Sequence, residues 1–239
     1  VKAWGDNEAM NAVPPPGLSH GLALADHGVV VLERGWLSSN NVVLIDDAGA
    51  VVIDTGYATH ADQTVALVRE VLQGRPLTRI VNTHLHSDHC GGNAALKAAW
   101  PQARILIPPG QWAAVQDGAG QTKDLAPAQD WDVVALTHGP TGQECPRFRA
   151  DSVVRPRDVL EVGGLQWQAL AAPGHDPHSL VWFEPRLRTL ISADALWNNG
   201  FGVVFPELDG QEAFSEVQQT LDLIASLEPE AVIPGHGAV

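Results

Sequence analysis

The segment Thr83-His84-Leu85-His86-Ser87-Asp88-His89-Cys90-Gly91-Gly92 constrains this chain more than any other. Three imidazoles and a carboxylate fall within residues 84–89, directly after the strand-like run RIVNTH (79–84). In an extended segment alternate side chains point the same way, so His84 and His86 can grip one ion. Asp88 and His89 fall on the following turn and can face a second. Gly91 and Gly92 let the backbone pass close to the ions before a helix begins. Imidazole with carboxylate suits zinc, and iron or manganese also accept it. A solvated polar loop is the alternative, and four ligand-type residues packed this densely weigh against it.

A fold that uses such a segment must bring further ligands to it. Strand-like runs occur at 28–33, 41–46, 50–56, 103–108, 165–172, 179–184, 187–194 and 231–234. The turn Asp46-Asp47-Ala48-Gly49 reads as a hairpin. Residues 60–73 read as an amphipathic helix with Ala61, Val65, Val68 and Leu72 on one face, and Gly92–Trp100 as another helix. Phe214, Val217, Leu221 and Ile224 mark a third, ended by Pro229. His175, Asp194 and His236 each sit where a predicted strand gives way to a loop, the place where open sheets put their sites. With the first cluster they make seven ligand candidates, enough for two metals. Two β-rich halves that each carry helices suggest an α+β chain, with two sheets face to face and helices outside.

Composition removes several functions. Lys plus Arg is 14 and Asp plus Glu is 28, a net charge of −14, which argues against a nucleic-acid binder. No apolar run approaches the ~20 residues that cross a bilayer. Cys90 and Cys145 are too few for a disulfide framework and read as free thiols. Residues 1–20 are Pro- and Gly-rich and read as an arm, with 21–239 as one domain. Nothing at the start resembles a signal peptide, so a cytoplasmic location is expected, or a periplasmic one if a leader has been removed. Residues 109–158 show no clear periodicity and read as a lid that sets substrate choice.

The ordered series Asp54, His84-x-His86-x-Asp88-His89, His175, Asp194 and His236 resembles the metallo-β-lactamase superfamily. The resemblance spans residues 54–236 and implies an αββα sandwich of two mixed β-sheets with outer helices, the site lying along one edge. It implies that His84, His86 and His175 hold one metal, that Asp88, His89 and His236 hold the other, and that Asp194 bridges. Asp54 would buttress the site through hydrogen bonds. Two divalent ions, with zinc expected and iron or manganese as alternatives, lower the pKa of a shared water and give hydroxide near neutral pH. Asp88 and Asp194 are therefore the catalytic candidates, Asp88 as a group that orients the nucleophile or takes its proton.

Within the superfamily Asp194 weighs against antibiotic hydrolysis, because true β-lactamases carry Cys or Ser there. Glyoxalase II-like thioesterases share the full set, but their basic glutathione-binding residues lie in a C-terminal extension, and this chain ends three residues after His236. The expectation is a zinc-dependent hydrolase of a small ester-like substrate (thioester, lactone or related), without nucleic-acid or membrane partners. A mononuclear-iron sulfur dioxygenase and a non-catalytic metal-binding sensor are the alternatives. Cys90 reads as packing, Trp197 as a pocket wall and His178 as a loop residue or a contact to substrate. His20, His27, His60 and His138 read as surface or capping residues.

Overall fold

The strand-like runs become strands of a computed structural model that describes residues 24–35, 38–108, 130–131, 145–146 and 148–239. In chain order the first half holds β1 (Val29–Leu32), β2 (Asn41–Asp46), β3 (Gly49–Ile53), α1 (Ala61–Leu72), β4 (Leu77–Val81), α2 (Ser87–Cys90), α3 (Asn93–Ala99) and β5 (Arg104–Ile107). Then come β6 (Asp130–Trp131), β7 (Phe148–Arg149), β8 (Ser152–Val153), β9 (Val159–Val162), β10 (Leu165–Ala171), β11 (Leu180–Glu184) and β12 (Thr189–Ala193). The chain closes with α4 (Phe205–Leu208), α5 (Phe214–Leu227) and β13 (Ala231–Pro234).

One sheet has the order β1-β2-β3-β4-β5-β8 and the other β13-β12-β11-β10-β9, while β6 pairs with β7. Both large sheets mix parallel and antiparallel neighbours. Side-chain alternation decides what each face meets. Val42, Leu44, Val51, Ile53 and Val81 point inward and pack with Trp167, Leu180, Trp182, Ile191 and Ile233 of the second sheet. Their neighbours Val43, Val52 and Ile80 point outward and pack against Val68 and Leu72 of α1 and Leu96 of α3. On the far side Val181, Phe183 and Leu190 pack with Ile224 of α5. Both faces of each sheet are thus covered, which is why β3, β11 and β12 are buried along their whole length. The αββα sandwich follows from these three apolar layers.

The β2–β3 hairpin forms where expected. Asp46 Oδ1 accepts the amides of Ala48 and Gly49 at 2.8 and 2.9 Å. Two expectations need correction. The end of the stretch read as irregular carries β7 and β8, and β8 runs parallel to β5 as the sheet edge. Two-residue strands are too short to show a period. Phe214 was expected on the buried face of its helix but is 61% exposed, and the buried stripe is Val217, Thr220 and Ile224. Glu207 Oε1 accepts the Ala213 and Phe214 amides at 2.6 and 3.0 Å, which fastens the helix start to α4 at the surface. The arm 1–20 with His20, and residues 109–129, 132–144 and 147 of the expected lid, with His138, lie outside the described residues. Among the described residues no helix is long and apolar enough to cross a membrane.

Candidate metal centre

Strands β3, β4 and β5 run parallel to one another, as do β12 and β13, so the loops after them emerge at one edge of the sandwich. Asp54 follows β3 directly, His84 lies just beyond β4, His175 beyond β10, Asp194 directly after β12 and His236 just after β13. Asp54 and Ala193, the residue before Asp194, have positive φ of 58° and 45°. Both turn the chain sharply at a strand end.

The seven ligand candidates come together in two adjoining groups, His84–His86–His175 and Asp88–His89–Asp194–His236. In the first, His86 Nδ1 lies 3.0 Å from His84 Nε2 and 2.8 Å from His175 Nε2. In the second, Asp88 Oδ2 lies 3.0 Å from His236 Nε2 and 3.7 Å from His89 Nε2. Asp194 spans the two groups. Its Oδ1 is 3.3 Å from His89 Nε2 and 3.6 Å from His236 Nε2, and its Oδ2 is 3.4 Å from His175 Nε2.

The outer hydrogen bonds decide which nitrogen faces inward. His89 Nδ1 donates to Asp54 Oδ2 at 2.7 Å, and His175 Nδ1 donates to the Val203 carbonyl at 2.6 Å. The Thr83 hydroxyl donates to Asp54 Oδ2 at 2.7 Å, so it accepts from His84 Nδ1 at 3.1 Å. Each bond leaves an Nε2 lone pair aimed into the centre. His86 is turned the other way. Its Nδ1 faces the group and its Nε2 faces Asp176 Oδ2 at 3.8 Å.

A proton on His86 Nδ1 can serve only one of its two imidazole neighbours at a time, whereas a cation satisfies all three nitrogens at once. Tetrahedral zinc with Zn–N of about 2.0–2.1 Å holds ligand atoms roughly 3.3–3.4 Å apart, close to the spacings here. His89 Nε2 and Asp194 Oδ1 are buried and make no hydrogen bond, and a cation would satisfy both. Burial would strip the proton from His89, but Asp194, Asp88 and Asp54 together push its pKa well above the usual histidine value. Buried carboxylates here call for positive charge. Burial raises the Asp194 carboxyl, yet His89, His175 and His236 bring it well below the usual carboxylate range. His84 goes the other way. Burial, then the imidazoles of His89, His86 and His175, push its pKa down and keep it in the neutral, ligating form. Burial, then Asp88 and Asp194, push the Tyr57 phenol up to about 12, so it stays protonated.

A buried polar net holds the α2 turn in place. The His89 carbonyl accepts from Thr55 N at 2.7 Å, Thr55 Oγ1 at 3.1 Å and Asn82 Nδ2 at 3.0 Å. Asn93 Nδ2 donates to Asn82 Oδ1 at 2.7 Å. Sequence reading missed Asp176, Asn82, Asn93 and Phe205. Only Asp176, next to His175, carried a usable signal. Trp197, expected beside the pocket, sets its ring 5.5 Å from His236. Cys90 is buried in the core, 3.9 Å from Cys145 Sγ. His178 is a half-buried loop residue whose amide donates to Asp176 Oδ1, and it belongs to neither ligand group. His27 is exposed and half-buried His60 precedes α1.

Two adjoining groups of imidazoles and carboxylates that could hold metal ions thus lie at one edge of an αββα sandwich. The model of the metallo-beta-lactamase superfamily matches residues 34–236, and the chain belongs to that superfamily. It is 29% identical over 169 residues to a hydroxyacylglutathione hydrolase of Rhodopseudomonas palustris (strain HaA2), covering 71% of this chain and 52% of that one. The chain thus spans about half the length of the hydroxyacylglutathione hydrolase that it matches. Among solved structures the BLEG-1 B3 metallo-beta-lactamase superposes with a TM-score of 0.65 at 20% identity, covering 87% of this chain and 91% of that one. ETHE1 from Myxococcus xanthus superposes with a TM-score of 0.59 at 24% identity, covering 87% and 75%.

Proposed function

We propose that the protein is a dinuclear zinc hydrolase of small ester-like carbonyl compounds. The observation that carries this reading is Asp194, whose two oxygens reach separate ligand groups, Oδ2 toward His175 and Oδ1 toward His89 and His236. His84, His86 and His175 would hold one ion, Asp88, His89 and His236 the other, and Asp194 both. Such a pair acidifies a water to near neutral pKa and polarises a substrate oxygen. The polypeptide does the rest. Asp54, Thr83 and the Val203 carbonyl keep His89, His84 and His175 in the tautomer that ligates. Asp88, at the rim of its group, orients the attacking water and takes its proton.

A likeness to hydroxyacylglutathione hydrolases supports carbonyl hydrolysis, and the substrate is a small molecule on this reading. Protein purified without chelator should hold close to two zinc equivalents and hydrolyse a member of an ester, thioester and lactone panel. One iron per chain, with oxygen consumption on persulfides, would replace this reading with a sulfur dioxygenase. No metal after supplementation would refute both.

A further inference from the structure

The ligands are only part of the wall around the centre. The segment 195–205, Ala-Leu-Trp-Asn-Asn-Gly-Phe-Gly-Val-Val-Phe, lies against both ligand groups and carries no charged side chain. Near its start Trp197 stands edge-on to His236 at 5.5 Å. At its end Phe205 stands edge-on to His86 and His175 at 4.9 and 5.3 Å. Between them Phe201 and Val203 are 44% and 43% exposed. Phe201 also lines a small pocket with His175, Asp194 and Val217.

This segment is fastened to the ligands themselves. The Gly202 amide donates to the Asp194 carbonyl at 3.0 Å, the Asn198 amide to the His236 carbonyl at 3.2 Å, and His175 Nδ1 to the Val203 carbonyl at 2.6 Å. A Cβ on Gly202 would come within 2.6 Å of both the Asp194 carbonyl oxygen and His175 Nδ1. Only glycine permits that approach. A wall pinned at three points presents its apolar side chains without further ordering, which lowers the entropy lost on binding. Apolar groups left open beside a polar centre are what a ligand with a matching apolar part covers.

We propose that residues 197–205 form an acyl-recognition wall, and that the substrate carries an uncharged apolar group next to its scissile carbonyl. The chemical class is an aliphatic or aromatic acyl ester, thioester or lactone. This rests on the hydrolase reading above. In the reaction the water oxygen bonds to the carbonyl carbon and the acyl C–O or C–S bond breaks. One water proton goes to the leaving alkoxide or thiolate, and the acid product releases the other. A small hydroxyacyl group, polar in the acyl part, fits this wall poorly.

The test uses the zinc-loaded protein with acetyl, butyryl, hexanoyl and octanoyl p-nitrophenyl esters and the matching thioesters. Full burial of a methylene implies about a four-fold gain, so a one-sided wall should raise kcat/KM about two-fold per methylene. The double variant Phe201→Ala/Val203→Ala should keep its metals and lose most of that slope. A flat chain-length profile in the wild type, an unchanged slope in the variant, or a preference for the hydroxyacyl glutathione thioester would overturn the wall and leave the hydrolase reading standing. If no carbonyl substrate turns over with two metals bound, the hydrolase reading fails by itself. Calorimetric titration with acetohydroxamate and octanohydroxamate then judges the wall. Affinity for the longer chain at least about ten-fold higher, lost in the double variant, upholds it. Equal affinities refute it.

Discussion

Asp54→Asn separates the electronic role of Asp54 from its structural one. Asp54 is buried, sits at φ 58° and receives three hydrogen bonds: from Thr83 N at 2.9 Å, Thr83 Oγ1 at 2.7 Å and His89 Nδ1 at 2.7 Å. Asn tolerates left-handed backbone about as well as Asp, and its carbonyl can still accept from Thr83 N. Its amide nitrogen then faces His89 Nδ1 and the Thr83 hydroxyl, donor against donor. His89 can relieve this only by moving its proton to Nε2, which removes the lone pair that would bind metal. Loss of such an outer partner typically costs 10–100-fold in metal affinity, or about 1.4–2.7 kcal/mol. Zinc affinity is to be measured by competition with a chromophoric chelator, alongside the melting temperature of metal-free protein. The second zinc should bind at least about ten-fold more weakly, while the metal-free protein melts within a few degrees of wild type. If Asp54→Asn binds both zinc ions as tightly as wild type, the tautomer argument is wrong.

Asp194→Ala should lower metal content and turnover together, because one side chain reaches both groups; two metals retained by elemental analysis would count against the bridging role. Cys90→Ala should keep metal and turnover and lose about 1 kcal/mol of stability as a small buried apolar group, so abolished turnover with metals in place would mean that the thiol takes part. Chelation should lower the melting temperature by several degrees, since a ligand at about 100 times its Kd stabilises the fold by about 2.7 kcal/mol and each kcal/mol is worth about 2–4 °C in a chain of this size; a melt indifferent to chelator would mean that no metal is held by the folded state.

The candidate residues could be singled out because each lies in a segment that follows a predicted strand, and parallel strands deliver their ends to one place. His84, His86 and His89 could be read from one short segment, and His175, Asp194 and His236 from strand ends far apart in sequence. The sandwich was legible from runs such as Val-Val-Ile and Leu-Val-Trp-Phe, which need cover on both faces. What holds the ligands was not. Thr55, Asn82 and Asn93 carry ordinary polar side chains, and only the folded chain shows that Thr55 and Asn82 converge on the His89 carbonyl with Asn93 bonded to Asn82. The inward nitrogen of each imidazole depends on partners such as Val203, 28 residues from His175. β8 escaped because its pairing with β5 joins distant segments and involves too few residues to leave an alternating pattern.

The two strained residues at the centre explain why its carboxylates sit at strand ends rather than within strands. A strand's side chains alternate between inter-sheet core and helix layer, and both environments here are apolar. A carboxylate in mid-strand would be buried among Val, Ile and Leu, whereas Glu184 at the end of β11 is buried but accepts the Gln166 and Leu187 amides. Asp54 and Asp194 avoid this because Asp54 itself, and Ala193 before Asp194, adopt left-handed backbone with φ of 58° and 45°. For Ala193 that conformation costs about 1–2 kcal/mol, since Cβ crowds the following carbonyl. The strain is offset where it occurs. The Asp54 amide donates to the Val81 carbonyl at 2.9 Å, and the Gly235 amide donates to the Ala193 carbonyl at 2.7 Å. Each bond ties a turned residue to the neighbouring parallel strand, β4 in one sheet and β13 in the other. The same two bonds that make the turns tolerable therefore tie each acid to the strand whose loop carries an imidazole partner, His89 for Asp54 and His236 for Asp194.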